Sequence, residues 1–247
     1  MIIKAAKKRL DFIVHEQHPH LSRSFIQQRI AAGSVLVDGK PLTKPGAPIE
    51  ETSTVVLLDA EPKFVSRGGN KLEAALDHFK LDLTGLTVLD AGISTGGFTD
   101  CMLQRGAAKV YGIDVGTAQV HPKIATDSRV IIIENTNLRY LKTLPEKVDL
   151  ATLDLSFISL TKVIAAVTPH IKAGGHIIAL IKPQFEAERN EVHRGGLITD
   201  QAVHDRIKKS VPQAFIDAGY SCIEIIDAPV QISGPANQEF LGLFKKP

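Results

Sequence analysis

The chain has no tryptophan, and aromatic residues make up only 5% of its 247 positions. A broad stacking platform for single-stranded nucleic acid is therefore not expected. Any nucleic-acid contact should rest on phosphates and shape instead. Cysteine is nearly missing too: Cys101 and Cys222 stand far apart. Two such residues make neither a disulfide framework nor a zinc cluster, so no metal site is expected and a reducing compartment is the simple reading. No apolar run approaches the roughly 20 residues that span a bilayer. The opening stretch MIIKAAKKRLDFIV carries charges inside its apolar segment, unlike a secretory leader. A cytoplasmic protein with no membrane partner is the expectation. A strong charge of one sign is also lacking: the net charge of +2 is compatible with an RNA partner and proves nothing by itself.

What is present falls into two parts. In residues 1–60, Lys4, Lys7, Lys8 and Arg9 crowd a short helix whose apolar face is Leu10, Ile13 and Val14. Ser22 or Ser24 can cap a second helix carrying Phe25, Ile26, Ile30 and Ala31 at helical spacing, and Gly33 can end it. Val35 and Val37 then alternate before Asp38-Gly39, a hairpin turn signal, and residues 53–58 read as a further strand. These elements make a small α+β module. Arg9, Arg23, Arg29, Lys40 and Lys44 are its candidate RNA contacts, with a merely solvated face as the alternative. The order RLD…HLSRSFIQQRIAAGSVLVDGKPLTKPG resembles the αL-type RNA-binding domain found in a small-subunit ribosomal protein, pseudouridine synthases and tyrosyl-tRNA synthetases.

Residues 61–66 read as a linker, and residues 67–247 as a second domain. There, helical patterns alternate with buried strands at 87–92, 109–115, 130–135, 148–155 and 175–182, and two closing strands suit an antiparallel hairpin. Such alternation implies an α/β fold, a mostly parallel sheet with helices on both faces.

The first strand of this domain runs into LDAGISTGGFTD, residues 89–100. Asp90, Gly92, Ser94, Thr95, Gly96, Gly97 and Phe98 are candidates for a cofactor turn, because small residues let backbone close on a ligand at a helix N-terminus. A nicotinamide dinucleotide prefers G-x-G-x-x-G, and Ser94 replaces the glycine that should approach the pyrophosphate. Asp114, about 20 residues on, suits the ribose hydroxyls of a nicotinamide dinucleotide and of S-adenosylmethionine equally. Asn135 and Asn137 follow the third strand, where an amide can read an adenine or simply close a local turn.

Four polar residues stand against apolar or small neighbours: Lys71, Asp154, Lys182 and Glu239. Their order resembles the K-D-K-E tetrad of the FtsJ-like ribose 2′-O-methyltransferases. With the N-terminal module, and with SRGGNKL, STGGFTD, DVGTAQ, TNLRYL, DLSFISL and KPQFE in place, the chain resembles the TlyA (hemolysin A) group over almost its whole length. The resemblance implies a Rossmann-like methyltransferase sheet, S-adenosylmethionine as cofactor, and an rRNA or ribosomal-subunit partner methylated at a cytidine 2′-hydroxyl in 16S or 23S rRNA. Lys182 would act on the hydroxyl proton or stabilise the alkoxide, Lys71 would add positive field, and Asp154 and Glu239 would position them. After Lys182, Arg189, His193 and Arg194 lie in a charged loop that can gate a substrate or simply be solvated. Two other functions fit the same resemblance: a non-catalytic rRNA assembly factor and a membrane-active hemolysin.

Overall fold

A computed structural model describes residues 7–58, 62–229 and 237–247. The chain divides into two compact units, one ending at Lys63 and the other beginning at Phe64.

The first unit holds β1 (Lys7–Arg9), α1 (Leu10–Gln17), α2 (Arg23–Ala31), β2 (Val35–Val37), β3 (Lys40–Pro41), β4 (Pro48–Glu50) and β5 (Val55–Leu57). Leu10, Val14, Ile26, Ile30 and Val35 are fully buried and form its core. Ser22 caps α2 by accepting from the Phe25 N–H, and Asp38 and Gly39 both take positive φ between β2 and β3, as the hairpin signal required. One expectation fails. Lys7, Lys8 and Arg9 are not helical: they pair antiparallel with Glu50, Ile49 and Pro48, and the helix starts only at Leu10. A pairing partner some 40 positions away overrides the local helical spacing. Lys4 lies outside the described residues.

The second unit contains α3 (Gly68–Phe79), β6 (Thr87–Ala91), α4 (Gly97–Gln104), β7 (Lys109–Ile113), α5 (Pro122–Ala125), β8 (Val130–Ile133), β9 (Val148–Leu153), α6 (Ile164–Val167), β10 (Ile171–Ile181), α7 (Pro183–Glu186), α8 (Gln201–Asp217), β11 (Ser221–Asp227) and β12 (Phe240–Lys245). Its seven strands run in the order β11-β12-β10-β9-β6-β7-β8. The strands β6 to β10 are parallel, whereas β12 lies antiparallel between β10 and β11. The centre of the sheet is buried on both faces, so β6, β7 and β9 read as nearly continuous apolar runs rather than alternating ones.

Of the segment 61–66, Phe64 is buried in the core of the second unit and the Val65 N–H donates to Asp100 Oδ2 at 2.9 Å. Its later half is therefore packed structure. Gly97 lets α4 approach this segment: a Cβ there would lie 2.1 Å from Ser66 Oγ.

Candidate active site

The parallel strands end together at one edge, and loops at that edge form the ligand crevice of open α/β sheets. Gly92 leaves β6 with φ +90°, and a Cβ on it would meet the Asp154 carbonyl oxygen at 2.3 Å. Only glycine allows this contact, which ties the glycine-rich turn to the end of β9. Ser94 also takes left-handed backbone, φ +49°, and its N–H donates to Asp114 Oδ2 at 2.8 Å. Asp114 Oδ1 accepts from the Gly116 N–H at 2.8 Å. Each carboxylate oxygen has a second lone pair, so the side chain is fixed yet can still accept from a diol.

A cavity of about 1240 Å³ opens here, lined in part by Gly92, Ser94, Asp114, Asn137, Ser156, Phe157, Gln184 and Phe185. That exceeds the usual range of roughly 300–1,000 Å³ for one small ligand, leaving room for a cofactor and part of a second substrate. Among the described residues that line it, Asp114 is the one acidic residue, against Arg139, Lys162 and Arg189. An anionic chain would be favoured there. Asn137 Oδ1 accepts from the Arg139 N–H at 3.1 Å, the local turn bond, which leaves its amide hydrogens for a ligand.

The other candidates of the glycine-rich turn stand behind this wall. Asp90 is fully buried, accepting from Thr99 Oγ1 at 2.6 Å and Thr152 Oγ1 at 3.0 Å. Burial pushes its carboxyl up to about 6, against the lowering effect of those hydroxyls. Phe98 is a core side chain. Gly96 has φ +94° and packs against Ile124, and the Thr95 carbonyl accepts from the His121 N–H. Asp90, Thr95, Gly96, Gly97 and Phe98 thus shape the turn without lining the cavity. Dihedral demand and core packing both place small or apolar residues in such a turn, so ligand contact was not separable from support in the sequence.

The tetrad assembles as two ion pairs. Lys182 Nζ lies 2.5 Å from Asp154 Oδ1 as an ion pair and donates a hydrogen bond, 3.4 Å, to Ser156 Oγ. Lys71, on α3, pairs with Glu239. The register puts Ile181 opposite Phe240, so Lys182 leaves β10 at the edge where Glu239 enters β12, and Asp154 leaves the neighbouring β9 at the same edge. None of the four lines the cavity, but Leu155, Ser156, Gln184 and Phe185, close in the chain to Asp154 and Lys182, do.

Several residues at the site escaped the sequence reading. Phe157 is 91% exposed and holds φ +63°, a strained setting for a bulky side chain. Its ring centroid lies 5.3 Å from that of Phe185, over which Lys182 Nζ sits at 5.9 Å. Glu186 accepts from Ser159 Oγ at 2.6 Å and from the Leu160 N–H at 2.8 Å, joining the loop after β9 to α7, and burial raises its carboxyl. The motifs DLSFISL and KPQFE contain these residues, but nothing in their hydropathy separates them from core.

In the first unit, Arg9 makes a bidentate pair with the buried Asp11, both contacts 2.9 Å, and Arg23 lies 3.8 Å from the same carboxylate. Both guanidinium groups face the Phe12 ring. Lys40 and Lys44 are exposed. Arg29 instead donates to the Leu58 carbonyl at 3.1 Å, a contact internal to this unit.

A seven-stranded sheet with its last strand antiparallel between the fifth and sixth departs from the all-parallel 3-2-1-4-5-6 order of dinucleotide-binding folds. Together with a polar tetrad at its carboxyl edge, it defines a Rossmann-like, S-adenosylmethionine-dependent methyltransferase. The FtsJ-like methyltransferase family matches residues 64–246 and the S4 domain family matches residues 8–55. The chain belongs to the FtsJ-like methyltransferases, in the TlyA (hemolysin A) group that carries an S4 domain in front. It is 36% identical to Hemolysin A of Brachyspira hyodysenteriae over 96% of this chain and 99% of that one. It is 38% identical to the 16S/23S rRNA (cytidine-2′-O)-methyltransferase TlyA of Mycobacterium tuberculosis, over 87% of this chain and 81% of the relative. A solved hemolysin-type structure from Streptococcus thermophilus superposes with a TM-score of 0.74 at 35% identity, covering 98% of this chain and 89% of that one. Among the described residues no helix is long and apolar enough to cross a membrane.

Proposed function

We propose that this protein methylates the ribose 2′-hydroxyl of a cytidine in 16S rRNA, 23S rRNA or both, acting on ribosomal subunits in the cytoplasm. The observation that carries this reading is the pair of ion pairs, Lys182 with Asp154 and Lys71 with Glu239, beside a cavity larger than one cofactor needs. The Mycobacterium tuberculosis relative is named for the same reaction.

S-adenosylmethionine supplies an activated methyl group on a sulfonium whose leaving group departs neutral. Gly92 and Ser94 would hold it at a turn that lets backbone come close, Asp114 would accept from its ribose hydroxyls, and Asn137 would donate to its adenine. What the chain must add is alignment and management of the hydroxyl proton. Lys182 Nζ stabilises the negative charge that develops on the ribose oxygen as its proton passes to solvent and the methyl group leaves sulfur for oxygen, and Asp154 holds the lysine in place. Lys71 adds positive field, and Glu239 fixes Lys71. Phe157, exposed and braced against Phe185, offers a face for the target base once it leaves its stack. Arg9, Arg23, Lys40 and Lys44 of the S4 domain bind rRNA phosphates.

The test is a map of ribose methylation on rRNA from cells with and without the gene. Loss of methylation at a cytidine, restored by the wild-type gene, is the expected result. An unchanged methylation map, with liposome leakage by the purified protein, would sink the reading.

A further inference from the structure

Gln184, on α7, lines the cavity, two residues past Lys182 and next to Phe185. A glutamine amide can present either a carbonyl or an NH₂ to a ligand, and its partners decide which. Here the decision traces back to the backbone through Asn237. Asn237 Oδ1 accepts from the Ile198 N–H at 2.7 Å, and a backbone N–H can only donate. Asn237 Nδ2 donates to the Gly196 carbonyl at 2.7 Å, and a carbonyl can only accept. Both ends of the Asn237 amide are therefore assigned. Its remaining N–H donates to Gln184 Oε1 at 3.0 Å. The carbonyl end of Gln184 is consumed, and its NH₂ group makes no hydrogen bond to any described residue.

We propose that Gln184 is a specificity-determining residue, its amide donating to the N3 and O2 acceptors of the target cytosine, with Asn237 as the positioning residue that fixes the direction of the amide. Uracil carries a proton on N3, so a donor facing that position disfavours it. This rests on the RNA-nucleotide reading above and adds to it the group that chooses the base.

The experiment uses the full chain with ribosomal subunits carrying cytidine or uridine at the methylated position, read as single-turnover methyl transfer. Wild type should favour cytidine by about tenfold or more, the scale of one lost or mismatched base-edge contact. Q184E keeps an acceptor for Asn237 but offers no donor. It should bring the cytidine-to-uridine ratio to near one or below, with S-adenosylmethionine affinity by calorimetry unchanged. Q184M, which has neither donor nor added charge, should lower the cytidine rate and narrow the ratio. A wild-type ratio near one would overturn the inference. So would a Q184E ratio equal to wild type, whatever its absolute rate, or a parallel loss of cofactor affinity in both variants. A wild-type protein that methylates no RNA ribose would instead defeat the underlying functional reading.

Discussion

Lys182 and Asp154 leave different strands, yet their charged atoms stand 2.5 Å apart at the carboxyl edge of the sheet. The arrangement predicts a clean separation of chemistry from cofactor binding. Lys182→Ala should slow single-turnover methyl transfer by about 10²–10⁴-fold, the scale of a lost positioning or proton-handling group. Its S-adenosylmethionine affinity should stay near wild type. Asp154→Asn, which keeps the shape but not the charge, should also lose rate. Wild-type transfer by Lys182→Ala would remove the tetrad from catalysis.

Asp114 lines the cavity, held by the N–H groups of Ser94 and Gly116. Asp114→Ala removes the acceptor for the ribose diol and releases the turn that carries Ser94. S-adenosylmethionine binding should weaken by about tenfold or more, since a hydrogen bond to a charged group is worth roughly 1.5–3 kcal/mol. Calorimetry checks it, with binding to ribosomal subunits expected to be retained.

The arginines of the S4 domain divide into two kinds. Arg9 and Arg23 converge on Asp11, whose carboxyl is held down to about 2 chiefly by the Arg9 hydrogen bond. Arg9→Ala and Arg23→Ala should each weaken binding to ribosomal subunits and flatten its dependence on salt. Arg29→Ala should instead cost fold stability, because its guanidinium donates to the Leu58 carbonyl. Asp11→Asn should loosen both exposed arginines at once. An unchanged salt dependence in Arg9→Ala would take that residue out of the RNA contact.

Asp90 gives the protein a stability term of unusual sign. Its folded carboxyl lies near 6, raised above the ordinary aspartate value of 3.8 by burial. The folded state therefore keeps the proton between about pH 4 and 6 while the unfolded chain releases it. Stability from this group is fully present below about pH 4 and lost as pH rises through 6, by about 2–3 kcal/mol. Asp90→Asn should flatten that slope in chemical denaturation across pH 4–7. A slope identical to wild type would show that Asp90 does not titrate there.

The sequence alone determined what depends on near neighbours. Periodicity set the strands of the second unit to within a few residues, because side-chain burial repeats with the backbone's own period. Asp38-Gly39 specified its turn, Ser22 its cap, and the tetrad was recognisable from order and motif. Tertiary structure decided what depends on distant pairing. Lys7–Arg9 became a strand because residues 48–50 offered hydrogen bonds that no local pattern announces. The glycine-rich turn split into lining residues and buried supports only when β6, β9 and α3 packed around it. Arg29 bonds the Leu58 carbonyl while Arg9 and Arg23 gather on Asp11. The direction of the Gln184 amide came from a loop and a strand entry that meet only in the fold. Burial and hydrogen-bond direction are properties of three-dimensional neighbours, and a linear pattern records only which residues are available to become them.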